Sequence, residues 1–222
     1  MFTVTYRIRR KDGAYVWLET TSRTIRDADG QVVEIIAASR DVTERKATEE
    51  KLEMLANHDP LTAVFNRRRF TEALAQMLAE ARRYKLSGVL LMLDLDGFKQ
   101  INDRLGHLHG DRALVRLAKE LVKSTRECDV IGRLGGDEFG VILPHLNAKQ
   151  AEVVAARLLK RAQRTLRIKH EAAAIQVTAS VGLALFPEHA DRPNDLLAAA
   201  DLAMYRAKGK GGNGFRWAAV RG

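Results

Sequence analysis

Apolar and polar residues alternate over Thr3–Arg9, and again from Ala14 to Thr24 through Tyr15, Trp17 and Glu19. A period of two predicts half-buried strands. Lys11-Asp12-Gly13 and Asp29-Gly30 read as hairpin turns, the second leading into a third strand over Val32–Ser39. Three antiparallel strands without a covering element are marginal alone, so residues 2–42 read as a piece of a domain. A charged helix is expected next, capped by Thr43 and running to about Asn57. Leu52 and Leu55 are its candidate core-facing positions. Two heptads are too few for a coiled coil, and a solvated linker helix fits the same residues.

After His58-Asp59-Pro60 the texture becomes helices alternating with strands. Phe70, Leu74, Met77, Ala81 and Tyr84 keep helical spacing, and Val89–Leu95 is a continuous apolar strand. Asp111 is placed to cap a helix bearing Leu114, Leu117, Leu121 and Val122. Val130–Leu134 and Phe139–Leu143 are strands flanking Gly135-Gly136, followed by a helix over Ala148–Leu166. A long strand is expected through Ile175, Val177, Ala179, Val181, Leu183 and Leu185. Pro193–Lys208 reads as a helix, with a last strand near Phe215–Val220. The tight Gly-Gly hairpin among crossovers predicts an α/β (α+β) domain with a mixed sheet.

Composition narrows the picture. In 222 residues, 46% are apolar, which suits a packed core and excludes a disordered chain. The single cysteine, Cys128, excludes an internal disulfide framework and fits a reducing compartment. No apolar run has the length of a membrane span. The charge is uneven: residues 1–57 carry 10 basic and 10 acidic side chains, so the whole excess of +9 lies beyond them. Nucleic acid, an anionic membrane and a phosphorylated small molecule are all compatible with that excess.

Candidate chemistry gathers at four places. In Asp94-Leu95-Asp96-Gly97-Phe98-Lys99 a buried strand runs into two carboxylates. We expect them on opposite faces, so that one holds a hard cation with the Leu95 carbonyl in reach; a solvated turn is the alternative. In Arg133-Leu134-Gly135-Gly136-Asp137-Glu138-Phe139 the glycines admit positive φ and close approach of a ligand. If this hairpin lies beside Val89–Leu95, Asp137 and Asp94 converge on a site suited to Mg²⁺ with phosphates; otherwise it is an acidic turn. His107-Leu108-His109-Gly110-Asp111 lies between helices and lacks the further nitrogen or sulfur donors of a transition-metal site. Asn102 and Asp111 could instead read a base edge, guanine in particular. Lys208–Gly214 is a cationic Gly-rich loop, readable as a phosphate grip or as a helix C-cap.

Together and in this order, these motifs resemble the GGDEF family of diguanylate cyclases, which join two GTP into cyclic di-GMP and release pyrophosphate. The resemblance covers residues 58–219: Asp59-Pro60-Leu61-Thr62 through Arg68, Asp94–Lys99, Asn102-Asp103 to Asp111, Gly135–Phe139, Ser180-Val181-Gly182, and Ala200-Asp201 to Lys208. It implies a palm-like domain, a five-stranded, mixed and largely antiparallel sheet flanked by helices. It implies that Asp94, the Leu95 carbonyl and Asp137 hold Mg²⁺ or Mn²⁺, and that Asp137, Lys99 and Glu138 serve catalysis. Asn102, His107, Asp111, Phe98, Gly135, Gly136 and Lys208 would bind GTP. Arg126 and Asp129, with Arg157, match the family's product-inhibition site.

The same resemblance implies a homodimer, since each subunit holds one GTP, and a bacterial cytoplasmic setting with no nucleic-acid partner and no membrane segment. Two departures are visible. Ala63 and Val64 stand where Gly and Leu are usual, a change of packing only. Gly212 stands where Arg is frequent, and on that one departure a degenerate GTP- or cyclic di-GMP-binding module is the alternative reading. Residues 2–57 resemble the last strands of a PAS sensor, with Arg7–Gly13, Trp17 and Asp41–Arg45 as the matching run. The expected organisation is a partial PAS fragment over 1–42, a signalling helix over 43–57 and a GGDEF domain over 58–219.

Overall fold

Alternation in the first forty residues produces strands β1 (Phe2–Arg9), β2 (Tyr15–Arg26) and β3 (Val32–Asp41) of an antiparallel sheet. They are seen in a computed structural model that describes residues 1–170 and 173–219. Asp12 and Asp27 close the two turns, each accepting backbone N–H groups two residues on, from Ala14 at 2.9 Å and Asp29 at 3.0 Å. Every side chain of β1 and β3 is exposed, and burial in this unit is confined, among the described residues, to Val16 of β2 and Val42 after β3.

Helix α1 (Thr43–Asn57) follows. Thr43 is its first helical residue rather than its cap, because its hydroxyl accepts the Trp17 N–H at 2.9 Å. Val42 holds the cap position, its carbonyl accepting the Lys46 N–H at 2.9 Å, and Asp41 accepts the Thr43 N–H at 3.0 Å. Leu52 and Leu55 are 61% and 58% exposed, and no α1 residue is buried, so the helix is solvated and carries no core seam. Residues Met1–Ala56 form one compact unit and Asn57 opens a second.

The second unit runs β4 (Phe65–Asn66), α2 (Arg67–Tyr84), β5 (Gly88–Asp96), α3 (Phe98–Leu105), α4 (His107–Ser124), β6 (Val130–Gly135), β7 (Glu138–Pro144), α5 (Ala148–Thr165), β8 (Arg167–His170), β9 (Ala173–Gln176), β10 (Thr178–Phe186), α6 (Pro193–Gly209) and β11 (Gly214–Trp217). Its sheet has six strands, not five, in the order β11-β10-β5-β7-β6-β4. The sixth, β4, is two residues long and too short to show a period. The inner pairs β10/β5, β5/β7 and β6/β7 are antiparallel, and the outer pairs β10/β11 and β4/β6 are parallel. The strand expected through Ile175 divides: Ile175 belongs to the separate β8/β9 ribbon, and β10 begins at Thr178. Of the expected last strand, Val220 lies outside the described residues.

The apolar run of β5 is buried on both faces, as a strand between two helical layers must be. Val89, Leu91, Leu93 and Leu95 pack in a core with Leu114, Leu117 and Leu121 of α4 and Leu158 of α5. Leu90 and Met92 join Phe70 and Leu74 of α2 and Leu196 and Met204 of α6 on the other side. Full burial of each such side chain contributes about 1.5–3 kcal/mol.

Phe70 is a close fit. It lies over Gly132 and Gly140, which face one another across β6 and β7. A Cβ at Gly132 would approach the Phe70 ring to 2.7 Å, and one at Gly140 would collide with it. These glycines are a slot for a ring, and they draw the β6/β7 hairpin against α2.

Candidate functional site

Strand β5 stays regular to its last residue, so Asp94 and Asp96 share the face of Leu90 and Met92. The expectation of opposite faces is therefore corrected, and hydrogen bonding separates the pair instead. Asp96 accepts from Thr178 Oγ1 at 2.6 Å, Ser180 Oγ at 2.7 Å and the Asn213 N–H at 2.9 Å. It is consumed as an anchor.

Asp94 is 6% exposed. Its Oδ1 meets the Lys208 ammonium at 2.6 Å. Beyond that ion pair this oxygen has no hydrogen-bond partner among the described residues. Burial pushes the Asp94 carboxyl up to about 6, with Lys208 opposing the rise and the adjacent Asp137 carboxylate adding to it.

Asp137 reaches Asp94 because of the turn before it. Gly135 and Gly136 have φ of 154° and 50°, and an added Cβ at either would meet nothing within 4 Å, so the turn presents open backbone. Arg133 braces it, donating to Gly136 O from Nε at 2.9 Å and Nη2 at 2.7 Å. The same guanidinium donates to both Asp59 oxygens at 3.1 and 3.2 Å. Two carboxylates facing one ammonium leave negative charge to be balanced, and the oxygen-only donor set fits a hard divalent cation shared with phosphates. Among the described residues no cluster of three or more His, Cys, Asp or Glu side chains could hold an ion by itself.

Glu138 stands opposite Asp94 in the β5/β7 ladder. It lines a cavity of about 450 Å³ with Arg67, Thr71, Met92, Asn194 and Asp201. Lys99 is exposed on the first turn of α3. Phe98 is half-buried against the core cluster of Leu93 and Leu95.

The segment from 106 to 111 departs from expectation. Helix α4 starts at His107 with Gly106 at its cap, so His107, His109 and Asp111 are helical, and Asp111 lies one turn inside rather than at the N-cap. His109 Nδ1 bonds Leu105 O at 2.8 Å, which gives it a structural task. His107 and Asp111 are exposed, and Asn102 is half-buried with Oδ1 enclosed and unpartnered.

Arg126 and Asp129 pair at the α4–β6 turn, and Arg157 reaches the end of α4. Asp129 has its side chain 3% exposed and accepts from Arg126 N and Nη2, each at 2.7 Å. Arg126 Nη2 also donates to Pro144 O at 2.9 Å, and Arg157 Nη2 to Ser124 O at 2.8 Å. Beside Arg126 and Asp129 opens a recess of about 290 Å³ lined by His58, Phe65, Val122 and Ile131.

Residues 56–214 match the family described as diguanylate cyclase, GGDEF domain. The chain belongs to the GGDEF family. Residues 1–39 match the PAS fold, which agrees with the N-terminal antiparallel sheet. Diguanylate cyclase TpbB of Pseudomonas aeruginosa is 41% identical over 154 residues, covering 69% of this chain and 35% of that protein. The probable diguanylate cyclase DgcE of Escherichia coli is 34% identical over 186 residues, covering 84% and 17%. The chain thus spans about a third or less of these relatives' length.

Among solved structures, the GGDEF domain of TpbB superposes with a TM-score of 0.68 at 38% identity, covering 73% of this chain and 94% of that one. The coiled coil and GGDEF domain of DgcB from Caulobacter crescentus, in complex with cyclic di-GMP, gives 0.73 at 26% identity, covering 80% and 93%.

In this GGDEF domain the structure gives Asp96 and Gly212 a joint task that the sequence pattern does not assign them. Asp96 was visible as half of Asp-x-Asp, but its partners lie 82 to 117 positions away and leave no local signal. Gly212, where Arg is frequent, has φ of 69°, and a Cβ there would lie 2.7 Å from Asp96 Oδ2. The glycine fits a loop drawn tight onto Asp96. Among the described residues no helix is long and apolar enough to cross a membrane.

Proposed function

We propose that the chain is a diguanylate cyclase that condenses two GTP into cyclic di-GMP with release of two pyrophosphates. The observation that carries this reading is the convergence of Asp137 on the buried Asp94 beside Lys208. Asp94, Asp137 and the Leu95 carbonyl would hold Mg²⁺ or Mn²⁺, which supplies charge neutralisation for the triphosphate and an acidified ribose 3′-OH. Lys208 and Lys99 bind phosphate oxygens, and Lys99 stabilises charge growing on the leaving pyrophosphate. We assign Asp137 and Glu138 to assisting removal of the 3′-OH proton. Gly135 and Gly136 let the nucleotide lie against bare backbone, and Asn102 and Asp111 read guanine near His107 and Phe98.

One chain offers one such half-site, so two chains face to face complete the reaction as a homodimer. The product inhibits at Arg126, Asp129 and Arg157, where a guanidinium fits phosphate or a base face and a carboxylate accepts from a base edge. We assign residues 1–42 to a PAS fragment, 43–57 to a signalling helix and 58–219 to the catalytic domain, in the bacterial cytoplasm.

The test is turnover of GTP with Mg²⁺ followed by chromatography of the products. Cyclic di-GMP is expected from the wild-type dimer and none from Asp137→Ala, with both folded by circular dichroism. A wild-type dimer without turnover overturns the enzyme reading. GTP or cyclic di-GMP binding without turnover would favour the second reading, a regulatory binding module, whose one support is Gly212 in the phosphate loop.

A further inference from the structure

Asn102 on α3 and Gly110 on α4 touch where the two helices pack. A Cβ at Gly110 would collide with Asn102 Oδ1 and would come within 3.1 Å of both Asn102 Cγ and Phe98 Cζ. The same Oδ1 is enclosed and accepts no hydrogen bond among the described residues. Among the described residues the enclosed, unpartnered atom of this amide is the oxygen alone, which leaves the nitrogen to meet a ligand. An acceptor buried without a partner is disfavoured and turns outward when its enclosure is disturbed. The bare Cα of Gly110 leaves the space in which the amide oxygen lies inward, with the Phe98 ring bordering the same space.

We propose that Gly110 is a positioning residue for base selection: its missing side chain seats Asn102 in the one orientation that distinguishes guanine from adenine. The inference rests on the reading of Asn102 as a guanine contact. Gly110 acts through Asn102 and does not itself touch the base. Gly110 is interior to α4, where alanine is the better helix former, so Gly110→Ala isolates the collision from any backbone penalty.

The experiment measures binding of 3′-deoxy-GTP and 3′-deoxy-ATP, which lack the attacking oxygen, by calorimetry with Mg²⁺ on the full chain. In Gly110→Ala we expect about tenfold weaker binding of the guanine nucleotide, the scale of one hydrogen bond, and adenine binding within about twofold of wild type. In an Asn102→Ala background, adding Gly110→Ala is expected to change nothing further.

Unchanged guanine selectivity in Gly110→Ala, with Asn102→Ala weakened, overturns the role of Gly110. Unchanged binding in Asn102→Ala overturns the guanine reading of Asn102 instead. If Gly110→Ala fails to fold, the double variant decides: it folds if the collision is with the amide, and its failure to fold overturns the proposal.

Discussion

Asp96 accepts the backbone N–H of Asn213 at 2.9 Å, joining positions 117 residues apart. With Thr178 and Ser180 on the neighbouring strand β10, it pins the loop after α6. Just ahead of that loop, in the last turn of α6, stands Lys208, whose ammonium meets Asp94. A carboxylate occupied by three internal hydrogen bonds therefore helps to set where the lysine proposed to bind phosphate sits.

Asp96→Ala strands two hydroxyls and one N–H, and a loss of about 2–3 kcal/mol is expected in urea unfolding. The KM for GTP is expected to rise several-fold, because Lys208 loses its tether. An unchanged KM in a folded Asp96→Ala would show that the loop is held without Asp96.

Gly212→Arg, which installs the residue frequent in the family, is expected to cost about 1 kcal/mol, since φ of 69° disfavours any L side chain and Asp96 blocks the Cβ. GTP affinity is expected to stay level or fall. Tighter GTP binding with no loss of melting temperature would contradict the loop geometry.

Much of this was legible in advance. The buried run of β5, the Gly-Gly turn and the helical spacing of α2 are local patterns, and they brought Asp94 and Asp137 together on paper as they are in space. What was not legible depends on partners far along the chain. Nothing near Gly132 or Gly140 announces the Phe70 ring. Asp111 resembles a cap because carboxylates favour caps, yet Gly106 holds the cap of α4 five residues earlier. Leu52 and Leu55 have helical spacing that no second surface answers within their unit.

Gly140→Ala tests the ring slot. Overpacking against Phe70 is expected to cost about 1–3 kcal/mol in chemical denaturation. Gly140→Ala combined with Phe70→Leu is expected to lose less than the two costs added, because the smaller side chain leaves room for the new methyl.

Arg126→Ala is expected to raise the cyclic di-GMP concentration needed for half-inhibition by tenfold or more, in initial-rate assays with added product. Asp129, with its side chain 3% exposed, then loses its guanidinium, and about 1–2 kcal/mol of stability should go with it. An unchanged inhibition curve would remove this turn from the regulatory account.

Asp59 supplies a pH signature. Burial would raise its carboxyl, but hydrogen bonds from Thr62 and Arg133 outweigh burial and hold it below its ordinary value of 3.8. The sign follows from linkage: this stabilisation is present above 3.8 and fades as pH falls through the folded-state value. Relative to Asp59→Asn, the wild type is expected to be about 1–2 kcal/mol more stable at pH 7, with the gap closing below about pH 4. A gap that holds constant down to pH 2 would mean that the ionised form is not what matters.

The Asp59–Arg133–Gly136 bridge also bears on how far the chain can be trimmed. The turn that carries Asp137 is braced by a residue that lies 74 positions upstream of Arg133, before the first strand of the larger sheet. A fragment cut to the sheet and its helices, from Phe65 onward, would keep every strand and helix of that unit and still leave the Arg133 guanidinium without its counter-charge. The smallest piece with an intact turn has to begin ahead of Asp59.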